Sequence, residues 1–489
     1  MSATVPGRAT GHDVLFPTRA QDLRAASRKA LADIPLQQLV AAATHSKNTG
    51  RKSLCREAFG DRYDAIRQLA GQIKQHTLDH LDRYLEQFVA AARANGTQIH
   101  FAKDGAQARE IILAIAAASK SKVCVKSKSM ATEEIRLLPA LETAGVETIE
   151  TDLGEFILQL DGDAPSHIVA PMIHKDRHAV ARAFVRELGA AYTAEPRELT
   201  MIAREHMRAK YKVADLGISG ANFLIAQTGS LVLCTNEGNA DLAVAAPRVH
   251  VALVGIEKVI PSMAELPVFI KLLARSATAQ PITVYTSLIS GPRRATETEG
   301  PREVHIVLLD AGRTQLLHPS TRELLRCIRC GACLNACPVY RKVGGGHAYG
   351  SVYSGPIGAT ITPALRGLGD YTQLPQASSL CGACFEACPV HIDIPTQLVN
   401  LRRATVERSL GSRWERLAMK LWAWTMASPL RYRLCAKVQR VMMRAIAERD
   451  GEGRAWLSAA PPPIGAWTKE RDLPAPAARS FRHQWKDRA

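Results

Sequence analysis

The chain has 489 residues, a formal net charge of +17 and 46% hydrophobic residues. This apolar fraction supports a large buried core and excludes a wholly disordered chain, and the length suits two to four domains. The sequence shows neither a secretory signal nor an apolar run of about 18–20 residues that could span a bilayer. We therefore expect a cytoplasmic protein whose eleven cysteines do not form structural disulfides.

Apolar residues at helical spacing predict a helical N-terminal region over residues 1–75, interrupted by a polar break at residues 46–50. From residue 76 to residue 312, helix-like runs alternate with β-rich runs, which is typical of a mainly parallel α/β sheet. Residues 313–410 carry cysteine motifs and short helices. Residues 411–489 form a separate basic region, in which a helix precedes a proline-rich extended end.

Composition and periodicity predict the individual elements within residues 76–312. Two runs are predicted to be helices: DGAQAREIILAIAAAS and ATEEIRLLPALETAG. Five runs are predicted to be strands: KVCVKS, VETIETD, HIVAPM, VHVALVGI and EVHIVLLD. The run FLIAQTGSLVLCT predicts two further strands around a turn at Thr228–Gly229.

Seven of the eleven cysteines lie between residues 327 and 388, which indicates a metal site. The first motif has the spacing C-x2-C-x2-C-x3-C-P and consists of Cys327, Cys330, Cys333 and Cys337. This is the spacing of bacterial-type [4Fe–4S] ferredoxins. Zinc also uses paired C-x2-C, but it does not call for three such thiolates followed by Cys-Pro, nor for a second motif. The second motif consists of Cys381, Cys384 and Cys388.

In two-cluster ferredoxins the cysteine before proline ligates the other cluster. The same crossing assigns four ligands to cluster 1: Cys327, Cys330, Cys333 and Cys388. It leaves three for cluster 2: Cys337, Cys381 and Cys384. Cluster 2 is then either a [3Fe–4S] cluster or a [4Fe–4S] cluster with a non-cysteine fourth ligand, for which Ser378 is the nearest candidate. The scattered cysteines are predicted to be small buried hydrophobic residues: Cys55, Cys124, Cys234 and Cys435.

Basic residues surround the first cysteine motif and have two interpretations. They are Arg326, Arg329, Arg341 and Lys342. Either they lie close enough to the sulfur ligands to favour a reduced, more negative cluster, or they are solvated surface charges.

A basic loop at residues 126–129 follows a predicted strand and precedes a predicted helix, which is a common position for an anion site. Its candidates to hold a carboxylate or a phosphate are Lys126, Ser127, Lys128 and Ser129. The alternative is structural, with Thr132 capping the helix and the lysines solvated. Two Gly/Asn-rich segments, residues 217–222 and 235–239, similarly either make tight turns or line a pocket.

Other motifs for cofactors and catalysis are not recognisable. Neither G-x-G-x-x-G nor G-x-x-x-x-G-K-[ST] occurs, so no flavin, NAD or ATP site is predicted. His167, His174 and His347 lack metal-ligand spacing and are predicted to be structural. No residue is therefore assigned a catalytic role.

The region from residue 411 to residue 489 contains all six tryptophans, and its 12 Arg and 4 Lys face only 7 acidic residues. Its run LAMKLWAWTMASPL is apolar with basic flanks, so it is predicted to dock on a partner subunit or to lie on a membrane surface. Nucleic acid is not an expected partner, since no nucleic-acid-binding motif accompanies the charge.

Several longer motifs run in a fixed order along almost the whole chain. They include VKSKSMATEEI, PSHIVAPMIHK, GISGANFLIAQTGSLVLCTNEGN, CIRCGACLNACPVYR, GGHAYGSVYSGPIGA and SLCGACFEACPV. In these motifs the chain resembles the lactate utilization protein B family, the iron–sulfur subunit of a non-flavin L-lactate oxidation system. The resemblance implies that residues 76–312 are a LUD-type α/β domain, similar to the sugar-phosphate isomerase/CoA-transferase fold. It also implies an α-helical ferredoxin domain over residues 313–410, with two [4Fe–4S] clusters in the crossed pattern, followed by the helical and extended tail.

The resemblance further implies a cysteine-rich partner subunit and a second, smaller LUD-type protein, which together with this chain convert L-lactate to pyruvate. We therefore expect the electron-transfer component of an oxidoreductase complex rather than a stand-alone enzyme, with the tail as a peripheral contact to the inner face of the membrane. Two alternatives stay open. In one, the α/β domain itself binds and oxidises a small hydroxy acid, with Lys126 or Lys128 holding its carboxylate. In the other, the protein is a redox-sensing scaffold.

Overall fold

The computed structural model describes residues 21–460, 465, 468 and 471–487. The chain divides into two compact units, residues 1–408 and residues 409–489. The predicted domain boundaries at residues 75, 312 and 410 stay predictions.

Four helices begin the described part of the first unit: α1 Leu23–Ala32, α2 Ile34–Phe59, α3 Tyr63–Asp79 and α4 Leu81–Ala94. Asp22 and Asp33 cap α1 and α2, each accepting N–H groups of the following first turn. The predicted break at residues 46–50 is wrong, because these residues lie inside α2. Gly50 instead permits close packing, since a Cβ atom there would lie 2.8 Å from the Cβ of Ala279.

The core of the first unit is a six-stranded parallel sheet with the order β1-β10-β7-β4-β2-β3. Its strands are β1 Gln98–Ala102, β2 Val123–Ser127, β3 Glu147–Glu150, β4 Leu216–Ser219, β7 Val249–Gly255 and β10 Glu303–Leu309. Every residue of β4 and β7 is buried, as expected for strands covered on both faces. The parallel α/β prediction is confirmed.

Helices cover this sheet in alternation with the strands. They are α5 Gly105–Ala118, α6 Met130–Glu134, α7 Leu137–Thr143, α8 Leu153–Asp161, α9 Arg177–Leu188, α10 Pro196–Val213, α11 Asn239–Ala245 and α12 Leu266–Thr278. The run ATEEIRLLPALETAG is two helices rather than the predicted one, because Arg136 between them has a left-handed φ of 52°. A 3₁₀ turn, Ile256–Lys258, follows β7 directly.

The predicted strand HIVAPM is also wrong, since residues 167–172 contain no strand. His167 prevents an extended course by accepting the backbone N–H groups of Val169 and Ala170 at its Nδ1 atom, at 3.0 and 3.1 Å. The segment is therefore a turn that its own histidine side chain holds.

A second, mixed sheet has the order β8-β5-β6-β9, with β5 Phe223–Ile225, β6 Ser230–Thr235, β8 Val259–Ile260 and β9 Tyr285–Ile289. The predicted antiparallel pair around Thr228–Gly229 is confirmed as β5 and β6. Gly229 has a φ of 66° and packs closely on α4, because a Cβ atom there would lie 2.2 Å from the backbone nitrogen of Ala92.

Short helices hold the cysteine motifs at the end of the first unit: α13 Ala332–Ala336, α14 Pro338–Lys342, α15 Gly355–Arg366, α16 Ala383–Ala387 and α17 Ile394–Glu407. The second unit contains α18 Arg413–Met426, α19 Pro429–Ala445 and α20 Phe481–Lys486. It also has a small antiparallel sheet of β11 Glu448–Arg449, β12 Ala455–Leu457 and β13 Leu473–Pro474. Among the described residues, no helix has the length and apolarity needed to cross a bilayer.

Gly217 in β4 is predicted to be essential for packing of the sheet on α11. A Cβ atom at Gly217 would lie 1.9 Å from the carbonyl oxygen of Ala243, and a backbone atom cannot move aside as a flexible side chain can. Gly217→Ala should cost about 3 kcal/mol of stability and lower the thermal unfolding midpoint by several degrees. Gly369→Ala is the matched control, because a Cβ atom there meets no atom within 4 Å. Equal midpoints for the two variants would contradict the packing argument.

Candidate metal centre and adjoining cavity

The first cysteine motif is built on a tight turn leading into α13. Gly331 has a φ of 73°, and a Cβ atom there would lie 2.9 Å from the ring of His167. This turn and α16 bring four thiols of the two motifs around one small cavity, namely Cys327, Cys330, Cys333 and Cys388. They are the four residues predicted to ligate cluster 1.

The remaining three motif cysteines form a second group. The thiol of Cys337 lies within electrostatic range of Cys381, and that of Cys384 lies within range of both. Cys337 and Cys384 are buried, whereas Cys381 is exposed. Ser378 is half-buried, and its hydroxyl oxygen accepts the backbone N–H of Leu380 at 3.1 Å. The nuclearity and fourth ligand of cluster 2 stay open.

The donor set fits iron–sulfur clusters. Burial raises the pKa of Cys330 and of Cys333, and the neighbouring thiolates raise the pKa of Cys333 further, so cations are needed to hold these groups as thiolates together. Three backbone N–H groups point at sulfur atoms, each at 3.4 Å: Arg329 at Cys327, Tyr340 at Cys337 and Ile392 at Cys388. Such bonds stabilise thiolate ligands and raise the potential of the cluster that they hold.

A cavity of about 210 Å³, lined by both charged and apolar side chains, adjoins the cluster 1 thiols. It lies beyond the carboxyl ends of β2, β4 and β7, the edge at which parallel α/β sheets bind ligands. Ile328 and Arg329 line it from within the first cysteine motif. The cavity of the α/β sheet and the cysteine motif therefore share a wall.

One end of this cavity is basic. Arg313 donates to the carboxylate of Glu257 at 2.7 Å, and Arg329 lies 3.5 Å from the same carboxylate. Burial, followed by repulsion from Arg329, lowers the pKa of Lys258 to about 8. Burial likewise lowers the pKa of Lys74 to about 7, and its ammonium donates to the carbonyl oxygens of residues 257 and 259.

Comparison with known proteins follows the same division of the chain. Residues 85–309 match the LUD domain family, residues 323–392 match a 4Fe-4S dicluster domain, and residues 403–489 match the C-terminal domain of lactate utilisation protein B. Lactate utilization protein B of Geobacillus kaustophilus is 45% identical over 428 residues, which cover 87% of this chain and 89% of that protein. The protein of the same name from Shouchella clausii is 43% identical over 461 residues, which cover 94% of this chain and 95% of that protein.

The chain belongs to the lactate utilization protein B family. The fold class predicted from the sequence is confirmed in the form of a LUD domain with a parallel α/β core, a dicluster ferredoxin domain and a helical C-terminal region. The dicluster match and the two cysteine groups support iron–sulfur clusters in this family member.

The basic loop of this lactate utilization protein B family member is partly neutralised by its own acidic residues. The ammonium of Lys126 is fully buried among Glu133, Glu150 and Glu155, at 3.0, 2.7 and 3.4 Å. Burial disfavours its charge, but the three carboxylates outweigh burial and raise the pKa of Lys126 well above its usual value. The charge of Lys126 is therefore neutralised by these carboxylates and does not attract an external anion.

The other residues of the basic loop, at positions 127–129, have different surroundings from those of Lys126. Lys128 and Ser129 line the cavity, and Lys128 forms ion pairs with Asp152 and Glu237. The predicted cap at Thr132 is wrong, because Ser129 caps α6 by accepting the Thr132 N–H at 3.3 Å. The hydroxyl of Ser127 is buried and has no hydrogen-bond partner among the described residues. The anion site at residues 126–129 stays a prediction.

Both Gly/Asn-rich segments contribute to the cavity. Residues 220–222 follow β4 and residues 235–237 close β6, and all six line the cavity wall. In both segments the residues of the turn themselves line the cavity, one turn following β4 of the parallel sheet and the other closing β6 of the second sheet.

The basic residues of the first motif have separate environments. Arg329 is half-buried and lies within electrostatic range of Cys327, whereas Lys342 is exposed. Arg326 donates to the side-chain oxygen of Gln75 at 2.9 and 2.7 Å, and Arg341 donates to the Thr44 hydroxyl at 3.2 Å. Among these four residues Arg329 alone lines the cavity wall, and its side chain is only 9% exposed.

The predicted structural histidines have contacts that sequence spacing does not reveal. His167 is buried, and burial lowers its pKa to about 3. His174 and His347 meet with their ring centroids 4.4 Å apart, and their ligand atoms lie within 4.8 Å of a carboxylate oxygen of Asp163. The ammonium of Lys175 already lies 2.8 Å from that carboxylate, so a cation is present without a metal ion.

The scattered cysteines are only partly as predicted. Cys55 and Cys124 are buried, and Cys234 is half-buried on the cavity wall. The prediction for Cys435 is wrong, because its thiol is exposed on α19, a helix with only one buried residue.

The seven motif cysteines are predicted to hold about seven to eight iron atoms per chain, as two cubane-type clusters require. Cys330→Ser should remove about half of this iron and half of the visible absorbance, because it removes one thiolate from the cluster 1 group only. Iron analysis of anaerobically purified protein measures the loss. Cys435→Ser is the matched control, since that thiol is exposed and far in sequence from both motifs. A colourless protein loaded with zinc would refute the assignment.

Lys126 is predicted to be essential for stability. Lys126→Met should cost about 3–5 kcal/mol, because it leaves three buried carboxylates without their shared cation. Burial already raises the pKa values of Glu150 and Glu155. The loss should therefore grow as pH rises above the ordinary glutamate pKa of about 4.3, and it should shrink when these groups are protonated.

Denaturant unfolding at pH 5 and pH 8 measures this dependence, with Lys122→Met as control because Lys122 is exposed in the same strand region. A destabilisation of Lys126→Met that is equal at both pH values would contradict the carboxylate-cage explanation.

Proposed function

We propose that the chain is the iron–sulfur electron-transfer component of a multi-protein system that oxidises L-lactate to pyruvate. The observation that carries the proposal is the placing of the cluster 1 cysteine group beside the cavity of the LUD domain, with the second cysteine group next to the first, within one compact unit. The relatives' name, lactate utilization protein B, supports lactate as the fuel of the system.

The order of buried and exposed groups supports a path for electrons. Oxidation of lactate to pyruvate releases two electrons and two protons, whereas an iron–sulfur cluster exchanges one electron at a time. Cys330 and Cys333 are buried in the group that borders the cavity, while Cys381 of the second group is exposed. The helices α13 and α16, which carry the two motifs, pack against each other. Electrons are thus proposed to enter from the cavity side and to leave at the surface near Cys381.

The partners are proposed to be a cysteine-rich subunit and a second, smaller LUD-type protein. The second unit of the chain supports a docking role, because α18 has no buried residue and exposes large apolar side chains. Among them are Trp414, Leu417, Leu421, Trp422 and Trp424. Exposed tryptophans are common anchors at protein interfaces and at membrane surfaces. The same face is the candidate for peripheral contact with the membrane.

Reconstitution with L-lactate tests the electron-transfer proposal. The chain and its two partners, purified anaerobically with their clusters, should show bleaching of the visible iron–sulfur absorbance when L-lactate is added. The chain alone should not respond, because lactate oxidation is proposed to need the partners. The Cys330→Ser chain in the same mixture is the matched control and should block electron flow.

Two outcomes would contradict the proposal. Reduction of the chain alone by L-lactate would favour the alternative in which the α/β domain oxidises the hydroxy acid itself. Absence of reduction in every combination, with dithionite still able to bleach the clusters, would favour the redox-sensing scaffold.

A further inference from the structure

The basic end of the cavity holds cations that the protein does not fully neutralise. The side chain of Arg329 is only 9% exposed, and its Nη1 atom is buried without a hydrogen-bond partner among the described residues. Lys258 lines the same cavity, and its ammonium forms no hydrogen bond or salt bridge with the part of the chain that the structure describes, although the carboxylate of Glu257 and the thiol of Cys327 lie within electrostatic range of it. A buried donor without an acceptor is costly, so it indicates a group that the structure does not contain.

The single carboxylate between these cations is already committed. The Oε2 atom of Glu257 accepts from Arg313 at 2.7 Å and its Oε1 atom accepts from Arg329 at 3.5 Å, so one carboxylate serves two guanidinium groups. Arg329 also stacks over the ring of Tyr353 at 4.3 Å from its centroid, which holds the guanidinium plane in place without neutralising it. The arrangement is a fixed planar donor with a flexible ammonium beside it, which suits a carboxylate.

The rest of the cavity limits what the ligand can be. Asp152, Glu155 and Glu237 line the cavity near the carboxyl ends of β2 and β3. Since β4 separates β2 from β7, this acidic side lies roughly 10 Å from the basic side. A second carboxylate on the ligand would therefore face negative charge, and a volume of about 210 Å³ excludes a large ligand.

We propose that Lys258 and Arg329 bind the carboxylate of a short 2-oxygenated monocarboxylic acid, of the lactate and pyruvate class, in this cavity. The ligand class rests on the proposed function, whereas the anion site rests on the unpartnered Nη1 atom of Arg329 and on Lys258, which forms no hydrogen bond or salt bridge among the described residues. The acid lies against Ile328, within the motif that supplies three of the four thiols of cluster 1. The site differs from the predicted anion loop, because Lys126 is enclosed by carboxylates and Lys128 is paired.

Calorimetric titration of the anaerobic full-length chain tests the site. L-lactate and pyruvate should each bind saturably. The ratio of their dissociation constants shows whether the site prefers the hydroxy acid or the oxo acid. L-lactamide, the neutral amide of the same shape, should bind at least about tenfold more weakly, since it lacks the charge that Lys258 and Arg329 recognise. Malate, a dicarboxylate, should also bind more weakly because of the acidic side.

Lys258→Met should weaken L-lactate and pyruvate binding at least about tenfold, with iron content and visible spectrum unchanged. Lys212→Met, at an exposed lysine away from the cavity, is the matched control and should bind as the unmodified chain does. Should Lys258→Met fail to fold, the acid–amide comparison on the unmodified chain decides the question by itself.

The proposal is overturned by equal binding of L-lactate and L-lactamide, by unchanged affinity in folded Lys258→Met, or by phosphate binding more tightly than either acid. Failure of the site and failure of the proposed function are separable. Lactate reduction of the complete system at an unchanged rate with the Lys258→Met chain would refute the site alone. Saturable binding of the acids without lactate-driven reduction in any mixture would refute the proposed function alone.

Discussion

A buried guanidinium joins the α/β sheet to the cysteine-rich part of the chain. Arg313 follows β10 and is 1% exposed, yet it donates to Glu257 after β7 and to Glu134 on α6, at 2.7 and 2.8 Å. Glu134 in turn accepts the hydroxyl of Tyr353, which lies between the two cysteine motifs in sequence and stacks with Arg329. Removing Arg313 would leave the carboxylates of Glu134 and Glu257 without their shared cation, at a cost of about 3–5 kcal/mol. This network therefore fixes the wall that the cavity and the cysteine motif share.

A second arginine ties the N-terminal helices to the other cysteine motif. Arg67 on α3 donates to the carbonyl oxygens of Cys388 and Phe385, at 2.8 and 2.6 Å, and its third contact is Asp64 at 2.8 Å. These carbonyls end the short helix α16, whose last turn leaves acceptors without intrahelical partners. The N-terminal helices thus hold the crossed cysteine in position, so they belong to the metal centre as well as to the fold.

The cavity combines two kinds of charge environment within one small volume. On the side of β2 and β3, Lys126 is enclosed by its own carboxylates and Lys128 is paired with Asp152. On the side of β7, Arg329 shares the carboxylate of Glu257 with Arg313, and Lys258 forms no hydrogen bond or salt bridge among the described residues. An acidic side and a basic side in one cavity orient the carboxylate of a small anion toward the basic side, next to the first cysteine motif. The proposed ligand site of the LUD domain thus lies beside the start of the electron path proposed for the ferredoxin domain.

Local sequence determined the cysteine motifs, the parallel α/β class and the hairpin at Thr228–Gly229, because spacing, alternation and turn residues act within a few positions of one another. The grouping of Cys388 with the first motif also followed from the sequence, since the crossed pattern is a property of the repeat. The roles of Lys126 and Lys258 could not follow from it. Lys126 lies near the end of β2 and Lys258 in the turn that follows β7, but their neutralisation depends on which carboxylates the strand order brings beside them. Only the tertiary structure decided that Lys126 forms ion pairs with three carboxylates, whereas Lys258 forms none among the described residues and has Glu257, shared with two arginines, within electrostatic range, because long-range packing sets the charges around each side chain.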